Sequence, residues 1–207
     1  GKNITIVGTT EDATIDASSQ VSAAVTKGNI TFKNLTFKFS PANDHYNSGF
    51  DADNGTLVFE NCKFEGLATA DGSIIYNNCQ FTNTTEGKYA AWVYAGNVVY
   101  NNCSFKGVDR AVKVYGGSSL IKATYNDCTF EAAKENDPAD PNKAGVEVTV
   151  KDYPSTLAVD INNPTIINTA SAEHYGNEYF NIEAAPNKGN GIVTLDGHTY
   201  AQLADGT

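Results

Sequence analysis

Leu57-Val58-Phe59-Glu60-Asn61-Cys62-Lys63-Phe64 is the stretch that decides the fold, because it is one member of a series. An earlier copy is Ile30-Thr31-Phe32-Lys33-Asn34-Leu35-Thr36-Phe37, and the next is Ile74-Ile75-Tyr76-Asn77-Asn78-Cys79-Gln80-Phe81. Two more follow, Val98-Val99-Tyr100-Asn101-Asn102-Cys103-Ser104-Phe105 and Ala123-Thr124-Tyr125-Asn126-Asp127-Cys128-Thr129-Phe130, and a degenerate last copy is Val159-Asp160-Ile161-Asn162-Asn163-Pro164-Thr165-Ile166. Measured at the cysteine or its equivalent, positions 35, 62, 79, 103, 128 and 164 are separated by 27, 17, 24, 25 and 36 residues. Self-similarity at this period marks a solenoid, here with one short rung and one insertion.

Within each copy the apolar residues alternate, as they must when a strand buries one face. At the asparagine the phase slips. Leu57 and Phe59 point inward, Glu60 and Asn61 turn a corner, and Cys62 and Phe64 point inward again on the next strand. Such a corner needs a residue that tolerates the left-handed backbone region, and asparagine is a frequent choice after glycine. Stacking would therefore place Asn34, Asn61, Asn78, Asn102, Asp127 and Asn163 in one column, with side-chain amides bonding from rung to rung. A run of antiparallel hairpins would instead show regular short spacing and Asn-Gly turn pairs. The four cysteines take the same place in four consecutive copies. Parallel neighbours about 4.7 to 4.9 Å apart do not reach a relaxed disulfide torsion, so a column of reduced, buried thiols is expected. A cysteine metal site would need short loop spacings that are absent here.

The pattern aromatic-x-Asn-Cys-x-Phe, at this spacing and over residues 1 to 170, resembles the pectin-lyase-like superfamily, and in particular β-helical repeats in large surface proteins of gut bacteria. The expected fold is all-β: a single-stranded right-handed parallel β-helix, or solenoid, of about six to seven coils. Residues 1–170 would form the helix, and 171–207 a C-terminal cap and strand pair of the same domain. The resemblance is specific for fold and implies little about activity, since lyases, hydrolases, tailspikes and adhesins share it. For function it implies adhesion or glycan binding by a secreted or cell-surface bacterial module, acting as a monomer. A polysaccharide lyase or glycoside hydrolase is the alternative of another class, and a structural spacer is a third.

Composition narrows the partners. The 207 residues are 41% hydrophobic and only 18% charged, a mixture rich in strand-forming Val, Ile, Phe and Tyr. With net charge −10 and Arg110 as the single arginine, the chain lacks the footprint that holds a phosphate backbone, so nucleic acid is excluded as an expected partner. No apolar run approaches the roughly 18 residues of a membrane span. The chain opens in mid-strand at Gly1-Lys2-Asn3-Ile4-Thr5-Ile6 and stops at Asp205-Gly206-Thr207, which predicts one segment of a longer protein, with any export signal or anchor outside it.

In a solenoid the core-facing positions are committed to packing, so function falls to the outer faces and loops. A second aligned set shows such a face. Ala90-Ala91-Trp92-Val93-Tyr94 matches Ala111-Val112-Lys113-Val114-Tyr115 and Gly145-Val146-Glu147-Val148-Thr149, with Gly49-Phe50-Asp51-Ala52-Asp53 as a weaker relative. The alignment predicts Asp51, Trp92, Lys113 and Glu147 outward in one column, and Asp53, Tyr94, Tyr115 and Thr149 in the next. An exposed Trp92 beside Tyr94 and Tyr115, bordered by Asp51, Asp53, Lys113 and Glu147, is the candidate ligand-binding surface: flat aromatic faces stack on pyranose rings while polar edges meet hydroxyls. The competing reading is that these aromatics follow strand propensity and shield the sheet, or pack beneath the loop near 131 to 143.

Catalytic residues, cofactors and metal ligands are expected to be none. Asp51 and Asp53, about 6.6 Å apart on one strand, suit neither carboxylate geometry of glycoside hydrolysis. The resemblance to pectate lyases would ask for a calcium cluster and a base, for which Arg110 and Lys113 are the candidates, and the acidic cluster is incomplete. The paired-Asp and Gly-His-Gly motifs of polygalacturonases are absent; His45, His174 and His198 lie in a loop, an insertion and a turn. Asp51-Ala52-Asp53-Asn54-Gly55 lacks the remaining spacing and terminal Glu of a calcium loop. Glu135 to Asn142, with two prolines, reads as an exposed excursion. Residues from Ser171 to Phe180 are expected to cap the last rung, and Gly191 to Tyr200 to form a hairpin around Asp196-Gly197. Ile4–Gly8 and Ala13–Asp16 read as an early rung.

Overall fold

The computed structural model describes residues 2–18, 22–24, 28–40, 49–115, 120–132, 146–150, 156–168, 180–184 and 190–203. Among them the regular elements are 21 strands, in sheets of 14 and 7, numbered in chain order. The smaller sheet contains β2 (Thr14–Asp16), β5 (Thr36–Lys38), β7 (Lys63–Glu65), β9 (Gln80–Thr82), β12 (Ser104–Lys106), β15 (Thr129–Ala132) and β18 (Thr165–Asn168), each pairing in parallel with the next. In the larger sheet one parallel column carries the first half of every repeat: β1 (Asn3–Val7), β4 (Gly28–Lys33), β6 (Gly49–Glu60), β8 (Ala68–Asn77), β11 (Gly96–Asn101), β14 (Leu120–Asn126), β17 (Thr156–Asn162) and β20 (Asn190–Leu195). A second column joins β3 (Ser22–Ala24), the leading halves of β6 and β8, β10 (Ala91–Val93), β13 (Val112–Val114), β16 (Val146–Val150) and β19 (Phe180–Ala184). The chain therefore returns to the same strand positions repeat after repeat, an all-β parallel arrangement compatible with a β-helix.

The register follows the repeat residue for residue. Phe59 pairs with Tyr76, Tyr76 with Tyr100 and Tyr100 with Tyr125, while Phe64, Phe81, Phe105 and Phe130 line up on the smaller sheet. Their rings stack within each column, Tyr76 on Tyr100 at 4.8 Å and Tyr100 on Tyr125 at 4.9 Å, and meet edge to face across the core, Tyr100 to Phe105 at 5.1 Å. Both arrangements are favoured by the ring quadrupole.

Between the two columns lies the asparagine corner. Asn34, Asn61, Asn78, Asn102, Asp127 and Asn163 all hold positive φ, from 49° to 55°, as the sequence predicts. The expected ladder is present: Asn102 Nδ2 donates to Asn78 Oδ1 and Asn163 Nδ2 to Asp127 Oδ1, each at 2.8 Å. A second ladder stands beside it, Asn162 to Asn126 to Asn101 to Asn77, with every bond at 2.8 Å. Cys62, Cys79, Cys103 and Cys128 are buried and unbridged, as expected. Each thiol lies 3.5 or 3.6 Å from a carbonyl of the preceding repeat, Phe32, Phe59, Tyr76 and Tyr100 in turn.

Two expectations need correction. The rung that looked short is complete, because Ala68–Asn77 is one uninterrupted strand serving both columns of the larger sheet. As a result the 49–53 segment is displaced by two places from its aligned position: Phe50 pairs with Ala70, which pairs with Val93, so Asp51 lies opposite Asp71 and outside the column of Trp92. At the far end the predicted hairpin is found, with β21 (His198–Leu203) antiparallel to β20 and Asp196-Gly197 both at positive φ, the turn that suits strand twist. At the near end β1 and β2 pair with β4 and β5 as an early rung. The Glu135–Asn142 excursion, His45, His174 and the capping stretch from Ser171 to Tyr179 lie outside the described residues.

Candidate functional site

In the second column of the larger sheet, Thr69, Trp92, Lys113 and Glu147 follow one another in register. Their flanking neighbours Ala91, Val93, Val112 and Val114 fill the core, so alternation directs Trp92 and Lys113 outward. This much matches the sequence alignment.

The exposure of Trp92 does not. Trp92 is only 8% accessible, because Tyr89, from the chain between β9 and β10, and Leu67, from the bend before β8, pack against the indole in a small apolar cluster separate from the core. Several bonds hold that segment down. Buried Asn83 donates from Nδ2 to the Tyr89 carbonyl at 2.9 Å and accepts from the Thr85 amide at 3.0 Å. The Gly87 amide donates to Oδ1 of buried Asp109 at 2.8 Å, tying this segment to the equivalent one in the next repeat. Trp92 Nε1 donates to the Tyr115 carbonyl, satisfying the one polar group that burial would orphan. The aromatics therefore shield the sheet together with Tyr89, while the loop near 131 to 143 lies, from residue 133 on, outside the described residues.

Around this cluster the cations gather. Lys113 Nζ lies 4.8 Å from the Tyr115 ring centroid, 5.1 Å from Tyr89 and 5.3 Å from Trp92, a three-sided aromatic enclosure within cation–π range. Arg110 sits over Tyr89 at 5.4 Å, and its Nη1 donates to the Tyr89 hydroxyl at 3.4 Å. Leu67, Gly87, Lys88, Tyr89, Trp92, Arg110 and Lys113 together line a cavity of about 190 Å³.

Of the residues singled out in the sequence, Trp92, Lys113 and Tyr115 meet here, and half-buried Tyr94 touches Trp92 edge-on at 6.0 Å. Glu147 is next to Lys113 along the column, with its side chain outside the described residues. Asp51 stands with Asp71 one column away, and the side chain of Asp53 is likewise not described. Sequence reasoning missed Leu67, Gly87, Lys88 and Tyr89, and considered Arg110 only as a base. A signal was available: aligning Ala90-Ala91-Trp92 with Ala111-Val112-Lys113 also sets Tyr89 beside Arg110. Among the described residues no group of three or more His, Cys, Asp or Glu could hold a metal ion, and no helix is long and apolar enough to cross a membrane. Comparison with known protein families, curated proteins and solved structures gives no match.

Proposed function

We propose that the chain is a right-handed parallel β-helix, displayed outside the cell, that binds glycans through the cleft between Tyr89, Trp92, Arg110 and Lys113. The hand rests on the general right-handed preference of crossovers between parallel strands. The observation that carries the binding reading is one cavity lined by two aromatic rings and three side chains rich in hydrogen-bond donors, Lys88, Arg110 and Lys113. Apolar ring faces beside charged donors match the two-sided character of a pyranose, with its C–H face and its hydroxyl edge. Supporting this use of the fold, the core columns are occupied by packing residues, and the cleft is built on the outer face by a segment fixed through Asn83 and Asp109.

A glycan array tests the reading. Native protein is expected to bind a defined subset, and Tyr89→Ala, which removes the wall while leaving the β10 strand intact, is expected to lose it with circular dichroism unchanged. Binding by neither protein, or equal binding by both, would remove the cleft as a lectin-like site.

A further inference from the structure

We infer that a second cleft, at the corner between β1 and β2, binds the acetamido group of an N-acetylated sugar. It is separate from the Trp92 cleft, and neither reading depends on the other.

Connection lengths single the corner out. From β4 onward the chain passes from the larger sheet to the smaller in two residues, 34–35, 61–62, 78–79, 102–103, 127–128 and 163–164, whereas β1 and β2 are joined by residues 8–13. Backbone bonds align this exception with the rest. The Gly8 amide donates to the Lys33 carbonyl as the Asn34 amide does to Glu60, and the Ala13 carbonyl accepts from the Thr36 amide as Leu35 does from Lys63. Gly8 therefore stands in the asparagine place, Ala13 stands in the cysteine place, and Thr9-Thr10-Glu11-Asp12 is inserted between them. Inserted chain in a solenoid is released from core packing and can carry binding groups.

Glycine in the asparagine place leaves the amide ladder one step short. Asn61 Nδ2 donates to Asn34 Oδ1, Asn102 Nδ2 to Asn78 Oδ1 and Asn163 Nδ2 to Asp127 Oδ1, so each of these amides donates to the repeat before it. Before Asn34 comes Gly8, which has no side chain to accept, and Asn34 Nδ2 has no partner among the described residues. The gap is fixed, because a Cβ on Gly8 would run into the Asn34 carbonyl oxygen and the Ala13 side chain.

A cavity of about 430 Å³ opens at this gap, with Gly8, Thr9, Thr10 and Glu11 on the inserted side and Asn34 and Lys63 on the repeat side. Its volume lies within the range of about 300 to 1,000 Å³ usual for small-molecule sites. What the ladder lacks is a carbonyl acceptor. An acetamido group supplies one in the geometry of the missing side-chain amide. A sugar is the favoured carrier, since ring hydroxyls both donate and accept. They match the Thr9 and Thr10 hydroxyls, and bond with charge assistance to the Glu11 carboxylate and the Lys63 ammonium.

The test follows the side-chain amide NMR signals of Asn34 while native protein is titrated with methyl glycosides of N-acetylglucosamine, glucosamine and glucose. N-acetylalanine methylamide serves as a peptide arm carrying the same amide. The expected result is a saturable shift of the Asn34 signals, with the N-acetylated glycoside binding at least about tenfold tighter than the other two. Asn34→Asp removes the donor but keeps an acceptor for Asn61, in a backbone conformation that Asp127 already adopts at φ 53°. It should lose about tenfold in affinity with circular dichroism unchanged. Tyr89→Ala should bind as native does, which separates this site from the Trp92 cleft. Equal binding of all three glycosides, or native affinity in Asn34→Asp, overturns the inference. Tighter binding of the peptide arm overturns the sugar assignment. Should Asn34→Asp fail to fold, the native titration decides alone: Asn34 signals that stay unmoved at saturating N-acetylated glycoside overturn the site.

Discussion

At every repeat the chain turns on one residue held at φ between 49° and 55°, and five of those six residues are asparagine. Any other side chain with a Cβ meets a penalty of about 1 to 2 kcal/mol there, while asparagine recovers some by bonding locally. Asn102 adds a ladder bond to Asn78 at 2.8 Å. Asn102→Ala should therefore cost about 2 kcal/mol in urea denaturation, and Asn102→Gly about half of that, since glycine keeps the backbone and loses only the amide. Equal losses for the two would mean that the backbone conformation is not the cause. The tyrosines of the core behave oppositely. The hydroxyls of Tyr76, Tyr100 and Tyr125 are buried with no hydrogen-bond partner among the described groups. Burying an unsatisfied hydroxyl costs about 1 to 3 kcal/mol, so Tyr100→Phe should melt at the same or a higher temperature than the native chain. A clear loss of stability would show that the hydroxyl is bonded. The neighbouring Cys79 thiol and burial push Cys62 above the ordinary thiol range, and burial does the same first for Cys103. Both should resist a thiol reagent in the folded protein and react on denaturation; rapid labelling without denaturant would contradict the stacked core.

Among the elements, β6 and β8 differ from the rest by running straight through the position where later repeats divide into β10 and β11. That difference explains where sequence reading held and where it slipped. The asparagine corners, the cysteine column and the ring columns were legible because each combines a backbone requirement with a periodic side chain. The register of Phe50 and Asp51 was not, since Ala68-Thr69-Ala70-Asp71 carries small side chains with little contrast between its faces, and its copy went unrecognised. Glycine marks this second bend. Gly72 and Gly96 have φ of 94° and 79°, and a Cβ on Gly96 would come within 2.5 Å of the Gly72 backbone. Gly96→Ala therefore combines a strained backbone with a clash that the neighbouring strand cannot relieve by rotating a side chain. The expected cost is about 3 kcal/mol, read as a shifted denaturation midpoint; a change under about 0.5 kcal/mol, the scale of an ordinary surface substitution, would mean that the repeats are not packed this closely.

Across the whole molecule the ring columns tie repeat to repeat, and their protonation links them to pH. Burial first, then the nearby cysteines for Tyr76 and the nearby tyrosines and cysteines for Tyr100, push both well above their ordinary range, and burial does likewise for Tyr125. A tyrosine with a raised folded-state pKa contributes its full stability below the unfolded value near 10, and loses it as the pH climbs from there toward the folded value. Alkaline titration should thus leave these three phenols un-ionised until the chain unfolds cooperatively, seen as coincident changes in phenolate absorbance and circular dichroism. Smooth ionisation of every tyrosine with the strands intact would place those rings in water. The cleft belongs to the same scale, since residues from three successive repeats build it. Its strand-borne half, Trp92 and Lys113, was legible as a column. Its covering half was not, because Tyr89 and Leu67 come from the bends before β10 and β8, and no strand periodicity encodes where such bends lie against the indole.

The most direct test is the fluorescence of Trp92 in the unliganded protein, with acrylamide quenching. Stacking that closes Tyr89, Leu67 and Lys113 over the indole predicts blue-shifted emission and weak quenching, both relaxing toward solvent values in Tyr89→Ala. Emission and quenching of a fully exposed indole in the folded native chain would contradict it.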